Sequence, residues 1–495
     1  MPGKLAAAVW MTALVLALAP GVARADGLGP DVRSFVAVDS PLVVLRHVRV
    51  IDGTAAAPKE DQSIVLAKGR IQAVGPAASV AVPDGARVLD LGAHTVFPGL
   101  VGMHDHLYHS TSLVQQRGAS GGFAEPGLLL QELAFSAPRL SLAGGVTTLR
   151  TTGSIEPATD LNVKRRIDAG LLPGPRIHPT APYLEGKGTF FPQMHEISTP
   201  DEARQIVDFW ARAGMDSFKA YEHLTRAELA AAVAEAHRHK LKITGHLCAV
   251  TWPEAIAAGI DDLEHGPVFT DTELVADKKP DVCPASDAVL EAWMKTDLGS
   301  APVKSLIRSL VERKVAVTST LPVLEALVRD RPPMQTRVLD AMAPVARESY
   351  LVLRARVSSA GSTAGLPEAA LRKEMDFEVA FVRAGGLLLA GPDPTGNGGV
   401  LPGFGNQREV ELLVEAGLSP VEAISVATRN GARFLGEEGE IGTVVPGKRA
   451  DLVVVKGDPS KTIADIENVE LVFKEGVGFD SPRLIESVRG RVGIH

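Results

Sequence analysis

The sequence predicts an α/β fold, a (β/α)8 TIM barrel carrying a small β-sandwich domain formed from both chain ends. Two observations predict it. Between residues 98 and 435, short apolar runs alternate with helical stretches, the pattern of βαβ units and a parallel sheet. Outside that span, short β-rich runs separated by turn residues occur at both ends of the chain, so one sandwich can form with the middle inserted. The expected units are 1–25, 26–97, 98–435 and 436–495: a signal peptide, the first part of the sandwich, the barrel and the last part of the sandwich.

The first unit is separate from the fold. Lys4 gives a positive start, Leu5 to Ala19 is an uncharged apolar run, and Ala23-Arg24-Ala25 fits small-x-small cleavage. The run falls short of the ~20 apolar residues that span a bilayer. The expectation is therefore a periplasmic or secreted chain starting at Asp26, with no membrane segment after cleavage; an uncleaved anchor is the alternative. A net charge of −8 without a basic run offers no footprint for nucleic acid. Cys248 and Cys283, the two cysteines, are too few for a disulfide framework or a thiolate zinc site. Each reads as a small buried residue, with pairing left open.

The N-terminal sandwich strands are Leu42-Val43-Val44-Leu45, Val48-Arg49-Val50-Ile51, Ser63-Ile64-Val65-Leu66 and Arg70-Ile71-Gln72-Ala73-Val74. Their C-terminal counterparts are Ala450–Val455 and Val469–Phe473. The barrel strands are expected near Gly99–His106, Val146–Thr151, Arg176–Thr180, Asp216–Tyr221, Lys242–His246, Asp262–His265, Val315–Thr320 and Leu387–Pro392. Helices are clearest at Pro200–Ala213 and Thr225–His239; Thr225…Glu228 and Ser419…Glu422 are capping boxes. The long stretches 268–300 and 325–375 fall where active-site loops lie, and either could act as a lid or be decoration.

In such a barrel the functional residues sit at the carboxyl ends of the strands. His104 and His106 are one residue apart, so in a strand both face the interior, an arrangement suited to a divalent metal. His246, His265 and Asp393 fall at three other strand ends. Lys219 lies within a strand, where an unpaired ammonium is costly to bury. Carbamylation by CO2 would turn it into a carboxylate able to bridge two cations; an ion pair with Glu222 or Asp216 is the alternative.

With these residues in place, the chain resembles the amidohydrolase superfamily, closest to imidazolonepropionase-like and Xaa-Pro dipeptidase-like members. The matching segments are Pro98–His106, Ser217–Tyr221, Thr244-Gly245-His246, Leu263-Glu264-His265-Gly266, Ala390-Gly391-Pro392-Asp393, Asn430-Gly431-Ala432 and Gly442–Val453. The resemblance implies two divalent cations, zinc or a similar ion: one on His104, His106 and Asp393, the other on His246 and His265, with carbamylated Lys219 bridging. Two departures stand out. Pro392 replaces the more usual Thr before the aspartate, and Phe-Lys-Ala-Tyr replaces a glycine-rich dipeptidase strand, which weakens transfer of dipeptidase specificity.

Bound cations would lower the pKa of a water towards roughly 7 and polarise a carbonyl; Asp393 would take the water's proton and deliver it to the leaving group. Tyr221, two residues beyond Lys219, faces the same interior and could hydrogen-bond a substrate carbonyl or oxyanion, or be a packed aromatic. Arg150, His178, Tyr183, Lys187 and His223 lie at or just after strand ends, and Arg150 or Lys187 could bind a substrate carboxylate. The expected partner is a small molecule, either a dipeptide or N-acyl amino acid or a related ester; homo-oligomerisation stays open. The rivals are a mononuclear cyclic-amidine hydrolase or deaminase, and a non-catalytic binding protein of the same fold.

Overall fold

The computed structural model describes residues 27–112, 128–188, 193–359 and 365–493. The expected signal peptide lies outside the described residues. Among those described, no helix is long and apolar enough to cross a membrane.

Both chain ends build one nine-stranded sheet. The C-terminal strand Leu452–Lys456 pairs antiparallel with His94–Pro98, and Val469–Lys474 and Val477–Asp480 extend that side. Leu42–Val50, Lys59–Ala67 and Arg70–Pro76 form the other. Val43, Leu45, Ile64, Val96, Leu452 and Val454 alternate inward and make its own apolar core.

The barrel is a succession of parallel strands: Leu100–Asp105, Val146–Thr151, Arg176–His178, Ser217–Ala220, Lys242–Gly245, Asp262–Glu264, Ala316–Ser319 and Leu388–Ala390. Two links complete the ring. Thr180 bridges Ser217 in parallel register, and the Asp393 amide donates to the His104 carbonyl at 3.0 Å, joining the last strand to the first. Each strand lies where the sequence predicts it. Helices return outside the strands, and both predicted capping boxes form, at Thr225 and at Ser419. A tight approach seats the last strand: a Cβ on Gly391 would lie 2.2 Å from the His104 nitrogen, so only glycine fits.

The described residues of the two long stretches fold largely into helices, including Ser286–Lys295, Pro344–Ser358 and Glu368–Arg383, and none of them lines the cavity at the barrel mouth. Trp293 and Trp252 meet Phe377 edge-on at centroid distances of 6.2 and 6.4 Å. A hairpin of Tyr108–Ser112 and Leu128–Glu132, not foreseen, rises directly from the first barrel strand instead.

The cysteines also correct an expectation. Cys248 and Cys283 are half-buried and form a disulfide, with Cα atoms 4.9 Å apart and a sequence separation of 35. The bridge ties the turn just past His246 to the 281–284 loop. Closing a loop of this length removes about 2–4 kcal/mol of unfolded-state entropy. The Cys248→Ser/Cys283→Ser variant should therefore melt several degrees lower than the parent in a thermal scan, and an unchanged melting temperature would show that the bridge constrains nothing.

Candidate metal centre

At the carboxyl ends of the strands is a pocket of about 230 Å³, and His104, His106, Lys219, Tyr221, His246, His265, Asp393 and Tyr183 all line it. His104 and His106 alternate along one strand as predicted. His265 and Asp393 arrive differently: their backbones are left-handed, at φ 67° and 46°. Non-glycine residues take this conformation at a cost and keep it where the surroundings enforce it, commonly at functional sites. In His265 it turns the imidazole into the mouth although the preceding residue, Glu264, already faces the interior.

The donor atoms converge. Asp393 Oδ1 lies 3.3 Å from His106 Nε2 and 3.8 Å from His104 Nε2, and Asp393 Oδ2 is 3.8 Å from His265 Nδ1. Two donors each ~2.1 Å from one ion at a tetrahedral angle lie roughly 3.4 Å apart, so His104, His106 and Asp393 fit a shared cation. The second pair is oriented by outer partners. His265 Nδ1 is within 2.8 Å of the Thr320 hydroxyl, which leaves Nε2 for a ligand. His246 Nε2 is 3.2 Å from Glu222, which leaves Nδ1. Their rings are 4.5 Å apart.

Electrostatics hold His104, His265 and Asp393 in their ligating forms. Burial, then the charges of Lys219 and the neighbouring imidazoles, push His104 well down; burial and His246 do the same to His265. Burial alone would raise the Asp393 carboxyl, but His106, His265 and the Thr395 hydroxyl hold it well below the usual carboxylate range. Lys219 is fully buried, and burial together with Arg150 depresses its amine strongly. That favours the neutral form that reacts with CO2.

Several expectations need correction. Arg150 does not line the pocket: it is 1% exposed and lies under the site, donating to the Met103 carbonyl (2.9 and 2.6 Å), Glu264 (3.1 Å) and Asp262 (3.4 Å). A buried guanidinium needs such partners, and these hold Arg150 through Nε and Nη2 while its Nη1 meets none among the described residues. His178 faces Asp216 and Glu437, 3.3 Å from each, away from the pocket. His223 is held by Glu185, and Lys187 is exposed and does not line the pocket.

Sequence reasoning missed two residues. Glu264 is fully buried, ion-pairs with Lys219 in place of the expected Glu222 or Asp216, and sits 3.3 Å from His104 Nδ1. It stands where a carboxylate orients a metal-binding imidazole, and with His104 and His265 it also forms a compact set of candidate donors. Its place beside His265 in the quoted motif was the available signal. Glu264→Gln should weaken metal binding about 10–100-fold in a chelator competition; wild-type affinity would remove Glu264 from this role. Tyr108 continues the alternation of His104 and His106 and stacks on His106 at 4.4 Å. Its hydroxyl is 2.6 Å from that of Tyr183.

A family comparison agrees with this geometry. Residues 95–298 and 398–477, over half of the chain, match the model of the Amidohydrolase family. The chain belongs to the amidohydrolase family. An allantoinase of Streptomyces avermitilis is 34% identical over 132 residues, covering 26% of this chain and 25% of that protein. The chain thus spans a quarter or less of the length of the curated relatives it matches. Among solved structures, this amidohydrolase is similar to an Xaa-Pro dipeptidase with bound methionine in its active site, at TM-score 0.63 and 21% identity, covering 89% of this chain and all of that one. It is similar to the bottromycin amidohydrolase at TM-score 0.66 and 21% identity, covering 95% and 98%. At these identities the likeness is one of fold.

Proposed function

We propose that this amidohydrolase is an exported, binuclear metal-dependent hydrolase that cleaves an amide or a related C–N or ester bond of a small molecule. The observation that carries the reading is the convergence of His104, His106, Lys219, His246, His265 and Asp393 from separate strand ends on one pocket. His104, His106 and Asp393 would hold one cation, His246 and His265 the other, and carbamylated Lys219 would bridge them. When bound, the cations would activate water and polarise a carbonyl. The chain's own share is to hold four imidazoles in place, keep Asp393 ionised to move a proton, and offer the Tyr221 hydroxyl to the carbonyl oxygen. The Cys248–Cys283 disulfide supports export, because such bridges persist in oxidising compartments.

One observation favours a second reading. The ion pair between Lys219 and Glu264 would leave Lys219 an ammonium and the centre mononuclear, as in a cyclic-amidine hydrolase or deaminase. Zinc-loaded protein prepared with bicarbonate, tested on matched panels of amides, esters and cyclic amidines, separates the two. Amide or ester turnover supports the binuclear hydrolase, and turnover confined to amidines supports the other.

A further inference from the structure

Beyond the candidate ligands, the described pocket wall is neutral. It includes Tyr108, Ser110, Leu130, Tyr183, Met194 and Tyr221, and Lys219 is the single lysine or arginine lining the pocket among the described residues. The aromatic part is a connected set. Tyr108 stacks on His106, its hydroxyl meets that of Tyr183, and the Tyr183 ring stands edge-on to Tyr221 at 5.1 Å. Tyr183 is 5% exposed, and its seat depends on Gly153, where an added Cβ would lie 2.4 Å from the ring. Of the cations expected to meet a substrate anion, neither lines the pocket: Arg150 lies beneath the floor on Met103 and Glu264, and Lys187 is outside.

We propose that this pocket selects amides or esters whose flanking group is uncharged and aromatic or aliphatic, that it discriminates against a free carboxylate, and that Tyr108 and Tyr183 set the preference. A carboxylate brought against this described wall sheds water without gaining an ammonium or guanidinium partner from it, whereas an apolar group gains contact with three aromatic rings. One hydroxyl proton of the Tyr108–Tyr183 pair serves the other oxygen, which leaves one donor, enough for a neutral carbonyl. This proposal rests on the hydrolase reading and narrows it away from dipeptides and N-acyl amino acids, which carry a carboxylate.

The test compares N-benzoylglycinamide, N-benzoylglycine and N-benzoylethylenediamine, which share one scissile benzoyl amide and differ in charge. On the metal-loaded enzyme, kcat/KM for the neutral compound should exceed that for the anion by about tenfold or more. Tyr183→Ala and Gly153→Ala should shrink this ratio towards one, mainly through KM and with metal content unchanged. Tyr183→Phe, which keeps the ring, should retain most of it and serves if the alanine variant does not fold. An anion or cation turned over as well as the neutral amide, or a ratio indifferent to Tyr183, overturns the proposal. If none of the three is hydrolysed, the hydrolase reading is what fails, and calorimetric binding of the same compounds decides the specificity. Neutral binding about tenfold tighter and dependent on Tyr183 supports the proposal; equal or tighter binding of either charged compound overturns it.

Discussion

Replacing Asp393 with asparagine is expected to lower kcat by about 10³-fold or more, a loss in the upper part of the range for a general acid–base group, while the protein stays folded. The amide side chain would keep the size, but it cannot accept a proton and is a poorer cation ligand. The carboxylate lies 3.3 Å from His106 Nε2, and its left-handed backbone, with the amide bonded to the His104 carbonyl, fixes where its oxygens point. The fold thus places the carboxylate among the imidazoles, with the Thr395 hydroxyl donating to Oδ1. Circular dichroism and a melting scan beside the kinetics separate a chemical from a structural loss. A variant with near-parental kcat would remove Asp393 from proton transfer.

Lys219→Met carries the second large effect. Methionine keeps an unbranched chain in the same buried space and deletes the nitrogen. If Lys219 bridges two cations as a carbamate, bound metal should fall from two equivalents to one or fewer. Activity should fall by at least about 10²-fold, since even the loss of an outer partner of a ligand costs 10–100-fold. If Lys219 is simply the counter-ion of Glu264, the substitution leaves a buried carboxylate with Arg150 as its remaining cation. Stability would then fall while metal content held, an outcome that contradicts the bridging role.

The barrel and the main cluster were legible because both follow from periodicity. Short apolar strands alternating with helices give the parallel ring, and the strand ends at His246, His265 and Asp393, with the alternating His104 and His106, mark its mouth. What stayed hidden breaks that periodicity or depends on long-range contact. Adjacent strand residues should face opposite ways, yet Glu264 and His265 both face the interior because His265 has φ 67°. Arg150 obeys the alternation but sits a layer below the mouth, where Asp262 and Glu264 claim it. The polar strand Tyr108–Ser112 has no apolar run to announce it, so its contribution of Tyr108 to the wall went unseen. The disulfide depends on two loops meeting in space, which neither cysteine's surroundings in sequence reveal.

Metal content by mass spectrometry on the purified protein tests the binuclear centre directly, with native intact mass reporting any CO2 adduct at Lys219. A binuclear centre gives close to two equivalents of zinc or a similar divalent ion and a carbamate that disappears in Lys219→Met. One equivalent with an unmodified lysine would contradict the binuclear centre and move the protein to the mononuclear reading. No bound metal, even after zinc and bicarbonate are supplied, would contradict a metal hydrolase altogether.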